Sequence, residues 1–275
     1  MTSKWIGILG FPLTHSLSKQ IHIEKLQKAN LNYEFRILEW SSVDVDRHLQ
    51  ELKKDPTCVG FSVTMPYKEK IISYLDHCDE FAKKVSAVNC VKNVGGQWWG
   101  YNTDAPGFMK HFKLWNPLPP KEVHVVVIGA GATARTLSYA LAQEGYRNFT
   151  FINRTEEKAK AWAQKIKTFF SNIQTKVLKW GDPSPCELRM TNVFLMNTTP
   201  FSPVILSAAK NLISPAWIFD VAYNPPSLSF PRKRESMDPR LRGDDSQCRE
   251  RCFYTMNGWP MFEAQADLAF KIWTR

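Results

Sequence analysis

Residues 123–135 read VHVVVIGAGATAR. The first six are apolar apart from His124, as expected of a strand in a parallel sheet covered on both faces. Gly129-Ala130-Gly131-Ala132-Thr133-Ala134 follows at once and leads into a helical pattern over 132–143. This is the G-x-G-x-x-G/A arrangement in the strand–turn–helix setting it requires. The first glycine permits the tight turn. The second lets the backbone approach a pyrophosphate, and the small residue at 134 lets helix pack on strand. Free N–H groups at the helix start would face the phosphates. Glycine and alanine at this spacing also serve plain packing, so it is the setting that points to a dinucleotide.

The following strand, 149–153, ends in Ile152-Asn153. An NAD site usually places Asp or Glu there, on the ribose 2′-hydroxyl. Here the residues are Asn153, Arg154 and Thr155, with Lys158 a turn further on. Two cations and no acid fit a 2′-phosphate, which favours NADP over NAD. The alternative is a helix N-cap at Thr155, with Glu156 and Glu157 in the first turn and Arg154 on the surface. Both can hold together. A helix over 156–170 and strands near 176–179, 193–197 and 218–221 complete the alternation of a doubly wound α/β unit.

Working back toward the N-terminus, Trp115-Asn116-Pro117-Leu118-Pro119-Pro120 reads as a linker. Ahead of it strand and helix signals alternate. Strands are expected at 6–9, 35–38, 59–63, 88–94 and 97–100, the last two joined by Gly95-Gly96 in a hairpin. Helices are expected over 18–29 and 43–52, and a long one from Pro66, because apolar residues from Ile71 to Val85 recur at three and four. Residues 225–252 break the pattern with four prolines and the stretch PRKRESMDPRLRGDD. Too few apolar residues lie there to drive burial, so a surface excursion is expected. Amphipathic helix resumes from about Met261 to Trp273.

Composition narrows the class. The 275 residues, 44% hydrophobic and 23% charged, suit about two globular domains. No apolar run approaches the ~18 residues that span a bilayer, and the N-terminus lacks the form of a secretory leader. The six cysteines are scattered, without a C-x-x-C pair, and read as reduced cytoplasmic thiols. The six histidines form no H-E-x-x-H or Cys/His cluster, so no metal site is expected. The net charge of +10 is spread among acidic residues and reads first as a solvated basic surface, then as a binder of small anions, and last as a nucleic-acid surface.

Four polar clusters resist a packing explanation. Ser16 and Ser18 precede a helix; Ser18 is either its N-cap or, with Ser16, a holder of a carboxylate. Ser62 to Lys68 runs from a strand end toward a helix start, where the helix dipole disfavours a lysine; Lys68 is either simply exposed or chemical. Asn89 follows Ala87-Val88. Asn102 and Asp104 close a strand, where an Asx-turn is the plain reading.

These clusters together resemble the shikimate dehydrogenase family. The matching stretches are GFPLTHSLS (10–18), SVTMPYK (62–68), AVN (87–89), GYNTD (100–104), GAGATAR (129–135), NRT (153–155) and N-G-x-x-M-x-x-x-Q (257–265). They fall in the family's order along nearly the whole chain. The resemblance implies a cytoplasmic enzyme that reversibly reduces 3-dehydroshikimate to shikimate with NADPH, on the route to chorismate and the aromatic amino acids. It implies Lys68 and Asp104 as the catalytic pair. Ser16, Ser18, Ser62, Thr64, Asn89, Tyr223 and Gln265 would then hold substrate. Gly129, Ala130, Gly131, Ala132, Thr133, Ala134, Asn153, Arg154, Thr155, Lys158, Asn197, Thr198, Thr199, Val221, Gly258 and Met261 would hold the cofactor. Whether Lys68 acts as a base or as an electrostatic group stays open, since Asp104 beside it opposes the lowered pKa a base needs.

The implied architecture is two α/β domains. Residues 1–104 form the substrate domain, which takes back a C-terminal helix at 258–275. Residues 105–257 form a Rossmann-like NADP domain with an inserted segment at about 226–252. The site is expected in the cleft between them, in a monomer or homodimer acting on a small molecule, with neither nucleic acid nor membrane as partner. Several positions depart from the family pattern: Lys19 stands for Pro, Ser62 for Asn, Thr198-Thr199-Pro200-Phe201 for Ala-Thr-Ser-x-Gly, and Pro260 for Gly. The span from Tyr223 to Gly258 is about a dozen residues too long, and its removal is expected to leave folding and activity largely intact. Two rivals remain: a relative that accepts quinate or NAD, and a noncatalytic binder of a ligand or nucleic acid.

Overall fold

The computed structural model describes residues 3–13, 17–180, 192–199, 216–221 and 253–274. The expected insert at 226–252 and the expected site residues Ser16 and Tyr223 lie outside the described residues. The chain divides into two compact units. One comprises Met1–His111, Arg135–Leu137 and Met261–Arg275; the other comprises Phe112–Ala134 and Ser138–Pro260.

The first unit is built on a mixed sheet. Its strands are β1 (Trp5–Gly10), β2 (Glu34–Glu39), β3 (Cys58–Val63), β4 (His77–Cys78), β5 (Cys90–Val94) and β6 (Gln97–Tyr101), in the spatial order β2-β1-β3-β5-β6-β4. β1 runs parallel to β2 and β3, while β3, β5 and β6 alternate in direction. Gly95 and Gly96 both have positive φ, +61° and +87°. That is the geometry a two-residue hairpin turn demands, and it joins β5 to β6.

The strand period of two divides the core. Phe61 and Val63 face one side, with Trp5, Leu9, Leu49, Tyr67, Ile71, Val88 and Trp98. Helix α2 (Val45–Leu52) buries Val45, Leu49 and Leu52 there. Gly60 and Ser62 alternate to the other side, where Ile6, Leu26, Cys90, Ala269 and Trp273 cluster. A Cβ at Gly60 would strike the Trp273 ring, whose Nε1 donates to the Val91 carbonyl at 2.9 Å.

Helix α1 (Ser18–Lys28) brings His22 into this second cluster. The imidazole stacks on Phe35 at 5.6 Å and leans on Trp273 at 5.1 Å. Neither ring nitrogen has a hydrogen-bond partner. Burial, helped by the nearby Lys25 and opposed by Asp267, holds its pKa down at about 4. The unfolded imidazole titrates near 6.5. The neutral form therefore supports folding fully above that value, and the support drains away as pH falls toward 4. The loss is at most about 3 kcal/mol. His22→Leu keeps the apolar packing and removes the proton site. Urea midpoints of the variant are expected to fall less than wild type between about pH 7 and pH 4.5; parallel curves would clear His22 of the effect.

The long helix expected from Pro66 does not form. A turn carries Lys68, a short 3-10 helix covers Lys70–Tyr74, β4 intervenes, and α3 (Glu80–Val85) follows. The reason lies in two aspartates. The Asp76 amide donates to Trp98 O and its carboxylate accepts from Trp98 N, which pulls the chain onto β6. Asp79 then caps α3 by accepting from the Ala82 amide at 2.7 Å. Ile71 and Val85 are fully buried in separate short pieces, so helical spacing was satisfied without one helix. Lys68 consequently escapes the helix-dipole penalty. Helix α4 (Asp104–Phe112) was not expected. Pro106 suits its first turn, and Asn102 Oδ1 accepts from the Ala105 amide at 3.2 Å, a capping version of the Asx geometry.

The second unit carries the doubly wound sheet that the apolar strand at 123–128 announces. Its strands are β7 (His124–Ile128), β8 (Asn148–Asn153), β9 (Gln174–Lys179), β10 (Val193–Asn197), β11 (Ala216–Asp220) and β12 (Phe253–Asn257). All are parallel, in the order β12-β11-β10-β7-β8-β9. Every residue of β10 and β11 is buried, as two covered faces require. The edge strand β12 was not foreseen. Helices α5 (Ala132–Gln143) and α6 (Glu156–Phe169) follow β7 and β8. The last helix, α7 (Trp259–Thr274), returns Met261 onward to the first unit. Among the described residues no helix is long and apolar enough to cross a membrane, and no group of acids, histidines and cysteines could hold a metal.

Candidate active site

Strand ends in the first unit carry the chemistry. Ser62 lies in β3, Thr64 just past its end and Lys68 in the turn beyond. Asn89 precedes β5. Asn102 and Thr103 follow β6, and Asp104 opens α4, where the N-terminal end of the helix favours a carboxylate. Two backbone bonds tie these pieces together: Val88 N donates to Lys68 O at 2.8 Å, and Asn89 N donates to Tyr101 O at 3.1 Å.

The side chains converge. Lys68 Nζ lies 2.6 Å from Asp104 Oδ2, and the two side chains are 16% and 8% exposed. Asn89 Nδ2 donates to Asp104 Oδ1 at 2.8 Å and to Thr103 Oγ1 at 2.9 Å. Asn89 Oδ1 accepts from the Thr103 amide at 2.7 Å. Gln265, on α7, places Oε1 3.3 Å from Asn89 Nδ2 and 3.4 Å from Thr103 Oγ1. One carboxylate oxygen is thus spent on Asn89 and the other on Lys68. The ammonium keeps two further N–H groups to offer. A lysine held this way can stabilise charge developing on a carbonyl oxygen and can hand over a proton.

Of the expected catalytic and substrate residues, Lys68, Asp104, Asn89 and Gln265 come together in one bonded group. Ser62 and Thr64 stand outside it. The Ser62 hydroxyl is buried without a hydrogen-bond partner, an arrangement that costs roughly 1–3 kcal/mol unless something supplies a bond. Ser18 is not the N-cap of α1. Leu17 occupies that position, and Ser18 is buried in the first helical turn. Thr103 was not singled out, although it lies within the GYNTD stretch that was.

In the second unit residues expected to hold the cofactor gather at the carboxyl ends of the strands. β7 has β8 on one side and β10 on the other, which makes the β7/β10 edge the topological switch point where ligands bind in such sheets. Gly129 has φ +109°, and a Cβ there would strike Thr198 Oγ1. Gly131 faces open space at its Cβ position, room that a pyrophosphate needs beside the start of α5. Thr198 N and Oγ1 both donate to Ile128 O, at 2.9 and 2.7 Å. Asn197 is fully buried; it bonds Asp220 and accepts from Thr199. Val221 N donates to Asn197 O at 2.9 Å, and Gly258 packs against the Val221 backbone. Thr155 sits at the N-cap of α6 without a side-chain bond to it; Asn153 Nδ2 instead donates to Thr155 O at 2.7 Å. Arg154 and Lys158 are exposed, and neither has an ion-pair partner among the described residues. Met261 is buried in α7.

Comparison with known proteins gives this geometry its family. A family model described as "Shikimate dehydrogenase substrate binding domain" matches residues 8–91, and one described as "Shikimate / quinate 5-dehydrogenase" matches 118–179. A protein named shikimate dehydrogenase (NADP(+)) from Halothermothrix orenii is 31% identical, over 98% of this chain and 90% of its own length. The chain belongs to the shikimate dehydrogenase family. Among solved structures, a shikimate dehydrogenase in complex with NADP+ superposes with a TM-score of 0.77 at 28% identity, covering 99% of this chain and 90% of that one. The shikimate dehydrogenase of Thermus thermophilus, solved with NADP(H) and shikimate, gives 0.74 at 26% identity, covering 98% and 93%. The first matched region, described as a substrate-binding domain, includes Lys68 and Asn89.

Proposed function

We propose that this family member reversibly reduces 3-dehydroshikimate to shikimate with NADPH, a step toward aromatic amino-acid precursors. The observation that carries the reading is the Lys68–Asp104–Asn89–Gln265 group, a charged pair fixed by amides at the ends of three strands and a helix. NADPH supplies the hydride when bound. The open space at Gly131, the backbone N–H groups at the start of α5 and the exposed cations Arg154 and Lys158, without ion-pair partners among the described residues, all suit it.

Lys68 then holds a proton beside the carbonyl oxygen that is being reduced, and gives it up as charge builds there. Asp104 orients the ammonium. Asn89, Thr64 and Gln265 take ring hydroxyls, and Ser16 and Ser18 take the carboxylate. Ser62, whose buried hydroxyl is unpaired, offers the substrate one more bond. Its side chain is shorter than the asparagine many family members carry, which shortens one polar group on the substrate side. Residues 1–104 with 258–275 serve the substrate and 105–257 the nucleotide. Cys58, Cys78 and Cys90 as free thiols fit a reducing, cytoplasmic setting.

The test is NADPH formation by purified protein with shikimate, run beside quinate and beside NAD. Rapid turnover only with shikimate and NADP is the expected result. A folded protein that binds NADP but turns over neither acid would overturn the reading in favour of a noncatalytic relative. Arg154→Ser is expected to raise the NADP KM by about 10–100-fold, the worth of one charge-assisted phosphate bond. The NAD KM should stay within about threefold, since the ribose hydroxyl makes no such bond. An unchanged ratio of the two would remove Arg154 from the cofactor site.

A further inference from the structure

Arg135 ends the GAGATAR stretch, and nothing in the nucleotide reading uses its side chain. It falls in the first unit and is 12% exposed. Its Nε donates to Val85 O at 2.8 Å and its Nη2 to Ser86 O at 3.0 Å. Nη2 also lies 2.8 Å from Glu69 Oε1. These acceptors come from two segments with one thing in common. Glu69 is the residue after Lys68. Ser86 has a left-handed backbone, φ +51°, and leads straight into Ala87-Val88-Asn89. The same two segments are already joined by the bond from Val88 N to Lys68 O. The planar guanidinium, with donors in a fixed fork, spans both.

We propose that Arg135 is a positioning residue for Lys68 and Asn89, acting through the Val85–Ser86 carbonyls and Glu69. The proposal rests on the function given above. Lysine has a long, flexible stem, and reaction geometry tolerates little error: a misplacement of about 1 Å can cost about 100-fold in rate. Glu69 is 58% exposed, so its ion pair contributes little. The two carbonyl bonds of a mostly buried cation carry the effect.

The experiment compares Arg135→Met and Arg135→Lys with wild type. It reads kcat, the KM values for shikimate and NADP, the pH profile of kcat, and NADP binding by fluorescence titration. Wild type must first oxidise shikimate with NADP; its silence would sink the proposed function and not this proposal. Arg135→Met is expected to lower kcat about 10–100-fold, more than it changes the KM for shikimate, and, where Lys68 transfers the proton, to move the pH limb of kcat, with NADP affinity within about threefold of wild type. Arg135→Lys should recover part of the loss, because an ammonium can still donate to one of the carbonyls. In a Lys68→Met background, Arg135→Met should cost less than about threefold more, since the two act through one group. A merely structural arginine would change thermal stability and leave the pH limb in place. A kcat within about threefold of wild type, or a kcat loss matched by an equal loss of NADP affinity, overturns the proposal. If Arg135→Met does not fold, Arg135→Lys decides by the same readouts, and a wild-type kcat and pH profile in it overturn the proposal.

Discussion

Lys68→Met is expected to lower kcat for shikimate oxidation by about 10²–10⁴-fold, the range spanned by removal of a positioned acid–base group. Methionine keeps most of the apolar stem and deletes the ammonium alone. The hydride donor and the nucleotide turn are untouched, so NADP binding should stay as in wild type. The KM for shikimate should change less than kcat, because Asn89 and Gln265 still offer hydrogen bonds. The pH profile separates two roles for the lysine. If Lys68 transfers the proton, the variant loses the limb of the kcat profile that Lys68 controls. If it only stabilises charge, the rate falls uniformly and the limb survives. Near-normal turnover with an unchanged profile would take Lys68 out of the mechanism altogether.

Asp104→Ala is expected to do more than remove a neighbour. It strips the Lys68 ammonium of its partner at 2.6 Å and the Asn89 amide of one of its partners, at 2.8 Å. Both groups are largely buried, and an uncompensated buried charge costs about 3 kcal/mol. The urea midpoint should therefore fall along with activity. We expect kcat/KM to drop by about 10²–10³-fold or more, because the lysine loses its orientation and the amide its anchor. The double variant with Lys68→Met discriminates further. Partners in one unit lose their effect once, so it should fall little below the worse single variant. Strict multiplication of the two losses would mean that Lys68 and Asp104 serve separate steps.

What could be read from residues alone follows a physical division. β7 was legible because both of its faces are buried, so the strand is apolar apart from His124 at its start. Gly129 and Gly131 were legible because a turn with φ +109° and a phosphate approach tolerate few other side chains. The segment 66–85 was misread. Ile71, Leu75, Ala82 and Val85 repeat as in a helix, and only the tertiary bonds of Asp76 and Asp79 to β6 decide otherwise. β12 escaped notice because an edge strand borrows its partner from β11 and needs little pattern of its own. Lys68 and Asp104 stood out as residue types, but their pairing is a fact of three dimensions, set 36 residues apart in the chain. Thr103 and Arg135 both lay inside quoted motifs. Threonine and arginine have too many ordinary uses for sequence to single them out.

The closure of the first unit by α7 has a bearing on how the chain is made. Residues up to His111 leave the ribosome with the face around Ile6, Leu26 and Cys90 still waiting for Ala269 and Trp273. At about 5–20 residues per second, the stretch from 112 to 260 occupies roughly 7–30 s of translation. For that interval the nascent sheet carries an apolar face with no cover, and Gly60 has an empty notch where the Trp273 ring will sit. Gln265, which bonds Asn89, arrives with the same helix. The sheet is thus synthesised well before the helix that finishes it, and a chain cut short ahead of residue 259 lacks both that cover and Gln265.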